Sequence, residues 1–251
     1  MFQKILELPE SVRQIFPELL AYSGEENLIY LKKISGESLY SSKLLLPEKS
    51  TLEDKEKHSI LLTVIEGIKH LNQIGVAHLD THGANVMFDK NARESINTTT
   101  LIDFGGSSSS KDIHNTTLSS PRDKKLFDNL SEAFDIPRNF GVFHRGPEYC
   151  KANNSFDGEL ADRLNLAGFV CAVIFGYENM LKAVDFEPNS NVQMVISQKL
   201  LQTISPKNEL EKKLLKMITK NYSPNPQDRI YSTDDLLEII NEMFEKTETT
   251  A

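Results

Sequence analysis

The octapeptide His78-Leu79-Asp80-Thr81-His82-Gly83-Ala84-Asn85 and the tetrapeptide Ile102-Asp103-Phe104-Gly105 decide how this chain is read. Each is weak alone, since a lone Asp-Phe-Gly arises often by chance. Their setting carries more. Upstream, Leu61, Val64, Ile65, Ile68 and Leu71 recur at i, i+3, i+4, i+7 and i+10, which predicts an amphipathic helix ending near Gly75. Two short apolar pieces, 85–88 and 100–102, flank the polar stretch 89–99 and predict a hairpin with an enlarged tip. A helix thus leads into a His-x-Asp-x-x-x-x-Asn loop, and the second arm of the following hairpin ends in Asp-Phe-Gly.

Phosphoryl transfer needs few protein parts. One carboxylate orients the nucleophile or accepts its proton. A second carboxylate and an amide oxygen hold magnesium against the phosphates, so the protein supplies positioning and charge neutralisation. Asp80, Asn85 and Asp103 are residues of the required types in the required order.

By these motifs the chain resembles the protein kinase superfamily of eukaryotic type. The resemblance implies that Asp80 is the catalytic base, Asn85 the amide ligand to Mg²⁺ and Asp103 its main carboxylate. It extends over residues 18–244. Residues 28–39 (LIYLKKISGESL) resemble the last strand of the small lobe and the hinge. That alignment makes Leu31 the gatekeeper, assigns adenine recognition to the backbone of Lys32, Lys33 and Ile34, and puts Ser38 near the ribose. Gly146-Pro147-Glu148 resembles the close of an activation segment. Residues 162–176 resemble the buried central helix of a large lobe, with Asp162 bonding back to the catalytic loop. Arg229, in Asn225-Pro226-Gln227-Asp228-Arg229, resembles the arginine that pairs with Glu148. The implied fold is α+β and protein-kinase-like, with a mainly helical large lobe and a reduced small lobe. Residues 1–34 are read as the small-lobe remnant and hinge, 35–245 as the large lobe and 246–251 as a tail.

The implied activity is that of a minimal protein serine/threonine kinase, using ATP and Mg²⁺ to phosphorylate a protein hydroxyl. The pattern also departs from the family. No glycine-rich loop and no lysine-bearing strand precede the hinge, and residues 2–8 are read as the end of a small-lobe helix. Lys4, Lys32 and Lys33 are the only cations near the place of the phosphate-binding lysine. Loss of one comparable electrostatic contact costs about 10²–10³ in rate, some 3–4 kcal/mol. An alternative reading is therefore a pseudokinase, an interaction module without phosphotransfer. Leu79 stands where many kinases have an arginine that senses activation-loop phosphorylation, which argues against that switch. His82, two residues after Asp80, resembles small-molecule kinases of the aminoglycoside and choline type, where it would donate to phosphate when protonated. The segment 146–148 and Arg229 argue against that third reading. The span from Asp103 to Glu148 is long and is read as able to fold over the open cleft. An uncovered small-lobe face would take a partner or a second copy of the chain.

Secondary structure is expected at 18–22 and 28–34 as strands. Helices are expected from a cap at Ser50 or Thr51, at 127–134, and at 162–175, 194–204, 209–219 and 233–244. The serines 107–110 read as flexible linker. In 251 residues, net charge is −8 and no basic block appears, which argues against a nucleic-acid groove. Cys150 and Cys171 lack metal-ligand spacing and read as reduced thiols, which suits a cytoplasmic protein, including one delivered into a host cell. Residues 1–10 do not form a signal peptide, and the longest apolar run, 167–177, is too short to span a bilayer.

Overall fold

The computed structural model describes residues 2–23, 28–40, 52–91, 98–109, 113–114, 155–184, 192–223 and 225–248. The described chain is α+β, mostly helical, with small antiparallel sheets. The predicted helix is α3, Asp54–Gln73. Its cap is neither Ser50 nor Thr51, which lie outside the described residues, but Glu53. The Glu53 side chain accepts from the Glu56 backbone, and the Glu56 carboxylate accepts from Glu53 N at 2.7 Å, a reciprocal capping box. All five residues of the predicted stripe are fully buried. At the other end Gly75, at φ 72°, supplies the left-handed residue that turns the chain into β4, Val76–Ala77.

Before α3 come two short helices, α1 (Phe2–Ile5) and α2 (Glu10–Arg13), then the hairpin β1 (Leu19–Ser23) and β2 (Leu28–Leu31). The second strand stops three residues short of the expected 34. The amino-terminal arm is part of the core: Ile5, Leu8, Ile15 and Phe16 are buried, and Ile15 O accepts from Leu101 N at 2.8 Å.

A three-stranded antiparallel sheet orders β3 (Glu37–Ser38), β5 (Val86–Phe88) and β6 (Thr99–Leu101). Val86 faces Leu101 and Phe88 faces Thr99, so the expected hairpin forms, one residue out of its predicted bounds at each arm. Asn85 belongs not to the strand but to a 3₁₀ turn, Gly83–Asn85. β7 (Ser108–Ser109) pairs with β4, so this part of the expected serine linker is tied to the loop before His78.

The remaining helices are α4 (Gly158–Phe175), α5 (Tyr177–Val184), α6 (Val192–Thr203), α7 (Glu209–Asn221) and α8 (Thr233–Glu248). α4 begins four residues before the expected 162 because Asp157 caps it, its carboxylate accepting from Glu159 N and Leu160 N. Nearly the whole of α4 is buried, which is why its sequence is apolar all round. It packs against α3, α5 and α7, while α8 lies along α3. Among the described residues no helix is long and apolar enough to cross a membrane. The expected helix 127–134, the segment 146–148 and Cys150 lie outside the described residues; Cys171 is a buried free thiol.

Candidate functional site

α4 organises the loop from His78 to Asn85. Asp162, wholly buried in the second turn of that helix, accepts from three donors: Leu79 N at 2.8 Å, His78 N at 3.0 Å and Asn72 Nδ2 at 2.8 Å. The sequence-based expectation that Asp162 bonds back to this loop agrees with that geometry. Burial pushes its carboxyl up to about 6, and the three donors limit the rise. Held this way, Leu79 adopts φ 67°, and its side chain is buried with Ala77 and Ala161. Leu79 and Asp103 are the only non-glycine residues with positive φ among the described ones. Such conformations cost on the order of 1–3 kcal/mol and persist where the surroundings hold them.

His78 is structural. Its ring is fully buried, contacts Ile102 O through Nε2 at 3.1 Å and takes Asp80 N on Nδ1 at 3.3 Å. Burial lowers its pKa to about 4, so it is neutral at pH 7. It meets the edge of Phe104 at 5.0 Å between centroids, and Phe104 in turn meets Phe16 at 5.9 Å. An aromatic column thus runs from the loop through the Asp-Phe-Gly turn to the amino-terminal arm.

Asp80 and Asn85 are coupled directly. Asn85 Nδ2 donates to Asp80 O at 2.9 Å and to Asp80 Oδ2 at 3.2 Å. Asn85 is 6 % exposed and its amide is oriented by these bonds. His82 caps the 3₁₀ turn, Nδ1 accepting from Ala84 N at 3.2 Å. Its Nε2 lies 3.5 Å from Asp80 Oδ1 and 3.3 Å from Asn85 Nδ2, so the ring touches both of the coupled residues. His82 thus leans on the carboxylate that was expected to act as base. Tyr40 stacks on its other side, rings 5.9 Å apart and 19° from parallel, and meets Tyr177 at 4.8 Å. The close fit needs Gly83: a Cβ there would sit 2.5 Å from the Tyr40 ring. Neither Tyr40 nor Tyr177 was singled out from sequence, where an isolated tyrosine after a short strand gives no signal.

Asp103 reaches this cluster through the backbone. Ile102 N donates to Asn85 O at 2.8 Å, so the residue before Asp103 is bonded to one end of the loop and, through His78, to the other. Asp103 is exposed, at φ 60°, with Oδ1 accepting from Gly105 N at 3.0 Å. Asp80, His82, Asn85 and Asp103 therefore belong to one bonded unit.

The expected nucleotide residues are spread more loosely. Leu31 ends β2 opposite Leu19 and is exposed, rather than lining an enclosed pocket as a gatekeeper would. Lys32 spends its backbone N–H on Glu18 O and its ammonium on the Glu18 carboxylate at 2.7 Å. Lys33 is exposed and Ile34 half-buried. Ser38 lies in β3 opposite Met87, one strand over from the segment that continues Asn85. Lys4 donates to Ile74 O, at the end of α3.

Arg229 is fully buried and donates to Ser223 O at 3.1 Å and to Leu160 O at 3.0 Å; its expected partner Glu148 lies outside the described residues. Among the described residues no three His, Cys, Asp or Glu side chains gather as a metal site. No protein-family model matches the chain, and no curated protein matches it in sequence.

Proposed function

We propose that the unit around Asp80 is a phosphotransfer site of protein-kinase type, and that the chain is a minimal protein serine/threonine kinase using ATP. The observation that carries this reading is the coupling of Asp80 to Asn85 on a loop whose two amides are held by the buried Asp162. A loop with only a packing role has no need of a half-exposed carboxylate oriented by an amide and followed in space by a second, exposed carboxylate.

In this reading Asp80 orients the acceptor hydroxyl. The hydroxyl oxygen bonds to the γ-phosphorus, the bond from that phosphorus to the β–γ bridging oxygen breaks, and ADP leaves with the electron pair. The proton passes to the Asp80 carboxylate. Asn85 and Asp103 suit Mg²⁺. The Asn85 amide nitrogen is taken up by Asp80 and His82, which leaves the hard oxygen, and Asp103 presents a carboxylate with one oxygen fixed by Gly105 N. Mg²⁺ bound there supplies neutralisation of phosphate charge. His82, through Nε2, helps to position Asp80 and Asn85. The Lys32 carbonyl and the backbone of Lys33 and Ile34 read adenine, and Ser38 faces the ribose.

One observation favours the second reading, an interaction module without phosphotransfer. Lys32 is paired with Glu18 and Lys4 is bonded at Ile74, so two of the three candidates for a phosphate lysine are engaged elsewhere.

Thermal unfolding with and without millimolar ATP and Mg²⁺ separates the two, beside Asp103→Asn. Ligand at 100 times its dissociation constant stabilises by about 2.7 kcal/mol, which is several degrees at roughly 2–4 °C per kcal/mol. A magnesium-dependent rise that Asp103→Asn abolishes, followed by transfer of labelled γ-phosphate to serine peptides, is the expected result. No shift in the wild type overturns the phosphotransfer reading and leaves the module.

A further inference from the structure

The ring of His82 meets the candidate site with its edge and Tyr40 with its face. Nδ1 caps the 3₁₀ turn at Ala84 N, and Nε2 lies 3.5 Å from Asp80 Oδ1 and 3.3 Å from Asn85 Nδ2. Contacts at those two nitrogens fix two points of the ring and permit a tilt about the line joining them. The Tyr40 ring opposes that tilt. It lies 19° from parallel to the imidazole with centroids 5.9 Å apart, within the range of attractive aromatic pairs. Tyr40 is itself held from two directions. Along the chain, Ser38 faces Met87 and Leu39 N donates to Val86 O at 3.0 Å, so the residues just before Tyr40 are laced to the strand that follows Asn85. In space, the Tyr177 ring meets Tyr40 at 4.8 Å between centroids, tilted by 49°. Tyr177 opens α5 where the chain turns at Gly176, the cap of α4. α4 thus supports the loop twice. Asp162 near its start holds the amides of His78 and Leu79, and the aromatic pair beyond its end backs His82. Burial raises the pKa of both phenols, so they stay neutral at pH 7 and offer His82 a ring face, not a charge.

We propose that Tyr40, backed by Tyr177, is a positioning residue of this site: it fixes the plane of His82 and thereby holds Asp80 and Asn85 in their shared arrangement. The consequence for catalysis rests on the phosphotransfer reading of Asp80 and Asn85; the positioning itself does not. The link runs through the Asn85 amide. Its nitrogen has two hydrogens and three acceptors around it, Asp80 O at 2.9 Å, Asp80 Oδ2 at 3.2 Å and His82 Nε2 at 3.3 Å. Where each acceptor stands decides how those hydrogens are shared. A tilt of His82 redistributes them and turns the Asn85 oxygen, the atom assigned to Mg²⁺. A misplacement of about 1 Å near reacting groups can cost on the order of 10² in rate. A residue that only fills space could be replaced by any apolar chain of its size. Stacking on an imidazole needs a flat ring, and that difference separates the two roles.

The test reads the Asn85 side-chain amide by NMR in the isotope-labelled full chain, in the wild type, Tyr40→Phe and Tyr40→Leu, each checked for folding by its unfolding midpoint. Tyr40→Leu should move the Asn85 Nδ2 resonance, and Tyr40→Phe, which keeps the ring, should restore it. Should Tyr40→Leu not fold, Tyr177→Leu removes the ring behind Tyr40 and should move the same resonance in the same direction by less. On serine peptides Tyr40→Leu should lower kcat by about tenfold or more, with Tyr40→Phe restoring it. The KM for ATP should stay nearly unchanged, because adenine is assigned to another stretch of chain. An Asn85 amide that no folded leucine variant moves overturns the inference. So does a Tyr40→Phe variant that behaves as Tyr40→Leu, because the hydroxyl and not the ring face then matters. A wild type that transfers no phosphate overturns the kinase reading alone, and the Asn85 resonance still decides the positioning.

Discussion

Asp162 holds Leu79 by its backbone amide at 2.8 Å while Leu79 sits at φ 67°, so a buried carboxylate on one helix maintains a left-handed residue in the loop before Asp80. The strain and its restraint are one device. Asp162→Ala leaves three donors without their acceptor, two of them backbone amides in the buried interior. At about 1–3 kcal/mol for each buried unsatisfied group, only partly recovered by rearrangement, the loss should be about 3 kcal/mol or more. Urea unfolding measures it, and a loss below about 1 kcal/mol would show that the loop does not depend on this anchor.

The acid limb of stability should show two opposing slopes. His78 is lowered from 6.5 to about 4 by burial. Its contribution is present above pH 6.5 and is lost as pH falls through about 4, roughly 3 kcal/mol at about 1.36 kcal/mol per unit. Asp162, raised from 3.8 to about 6, runs the other way. Its contribution is full below 3.8 and is lost as pH rises through about 6. Between pH 4 and 6 the two nearly cancel. Asp162→Asn removes one slope, so this variant should lose stability on acidification through that window faster than the wild type, by about 1.4 kcal/mol per pH unit. Equal slopes in the two proteins would refute the assignment.

Asn165 lies one turn beyond Asp162 on α4, fully buried, and among the described residues neither its Nδ2 nor its Oδ1 has a hydrogen-bond partner. Such a group costs about 1–3 kcal/mol. Asn165→Leu, close in volume, should therefore raise the midpoint of thermal unfolding by a few degrees. A fall in the midpoint would mean that the amide finds partners in solution.

Gly83 and Tyr40 should behave as one unit. In Gly83→Ala the new methyl meets the Tyr40 ring at 2.5 Å, which forces the ring off His82. Overpacking of this kind costs about 1–3 kcal/mol. In Gly83→Ala/Tyr40→Ala the clash is gone, so the double variant should be less destabilised than the sum of the singles. A double-mutant cycle on unfolding free energy measures the coupling, and strict additivity would exclude the contact.

Much of this was legible in the residues. The stripe from Leu61 to Leu71 is decisive because only a helix puts those five positions on one face. The Asp-Phe-Gly turn and the Asn85 loop were visible as spaced residue types. Helix starts were less so. Glu53 caps α3 and Asp157 caps α4 through side-chain bonds that a sequence does not display, and apolar periodicity begins only after the cap. The roles of Tyr40 and Gly83 were invisible for a different reason. Both arise where the chain crosses itself, and nothing local in either residue marks the meeting. The hinge expectation placed Leu31 against a nucleotide from its position in a motif, whereas its exposure depends on what covers the hairpin.

The amino-terminal arm gives the molecule a mode of failure. Its Ile15 carbonyl receives Leu101 N, its Phe16 ring closes the aromatic column below Phe104, and Lys4 ends on the last turn after α3. A protease cutting after Arg13 would not merely shorten a tail. It would release the buried Ile5 and Leu8 and leave Ile15 and Phe16, which pack against Gly67 and Phe104, without the helices that precede them. Intactness of that arm is the quality to check in any preparation before its chemistry is judged.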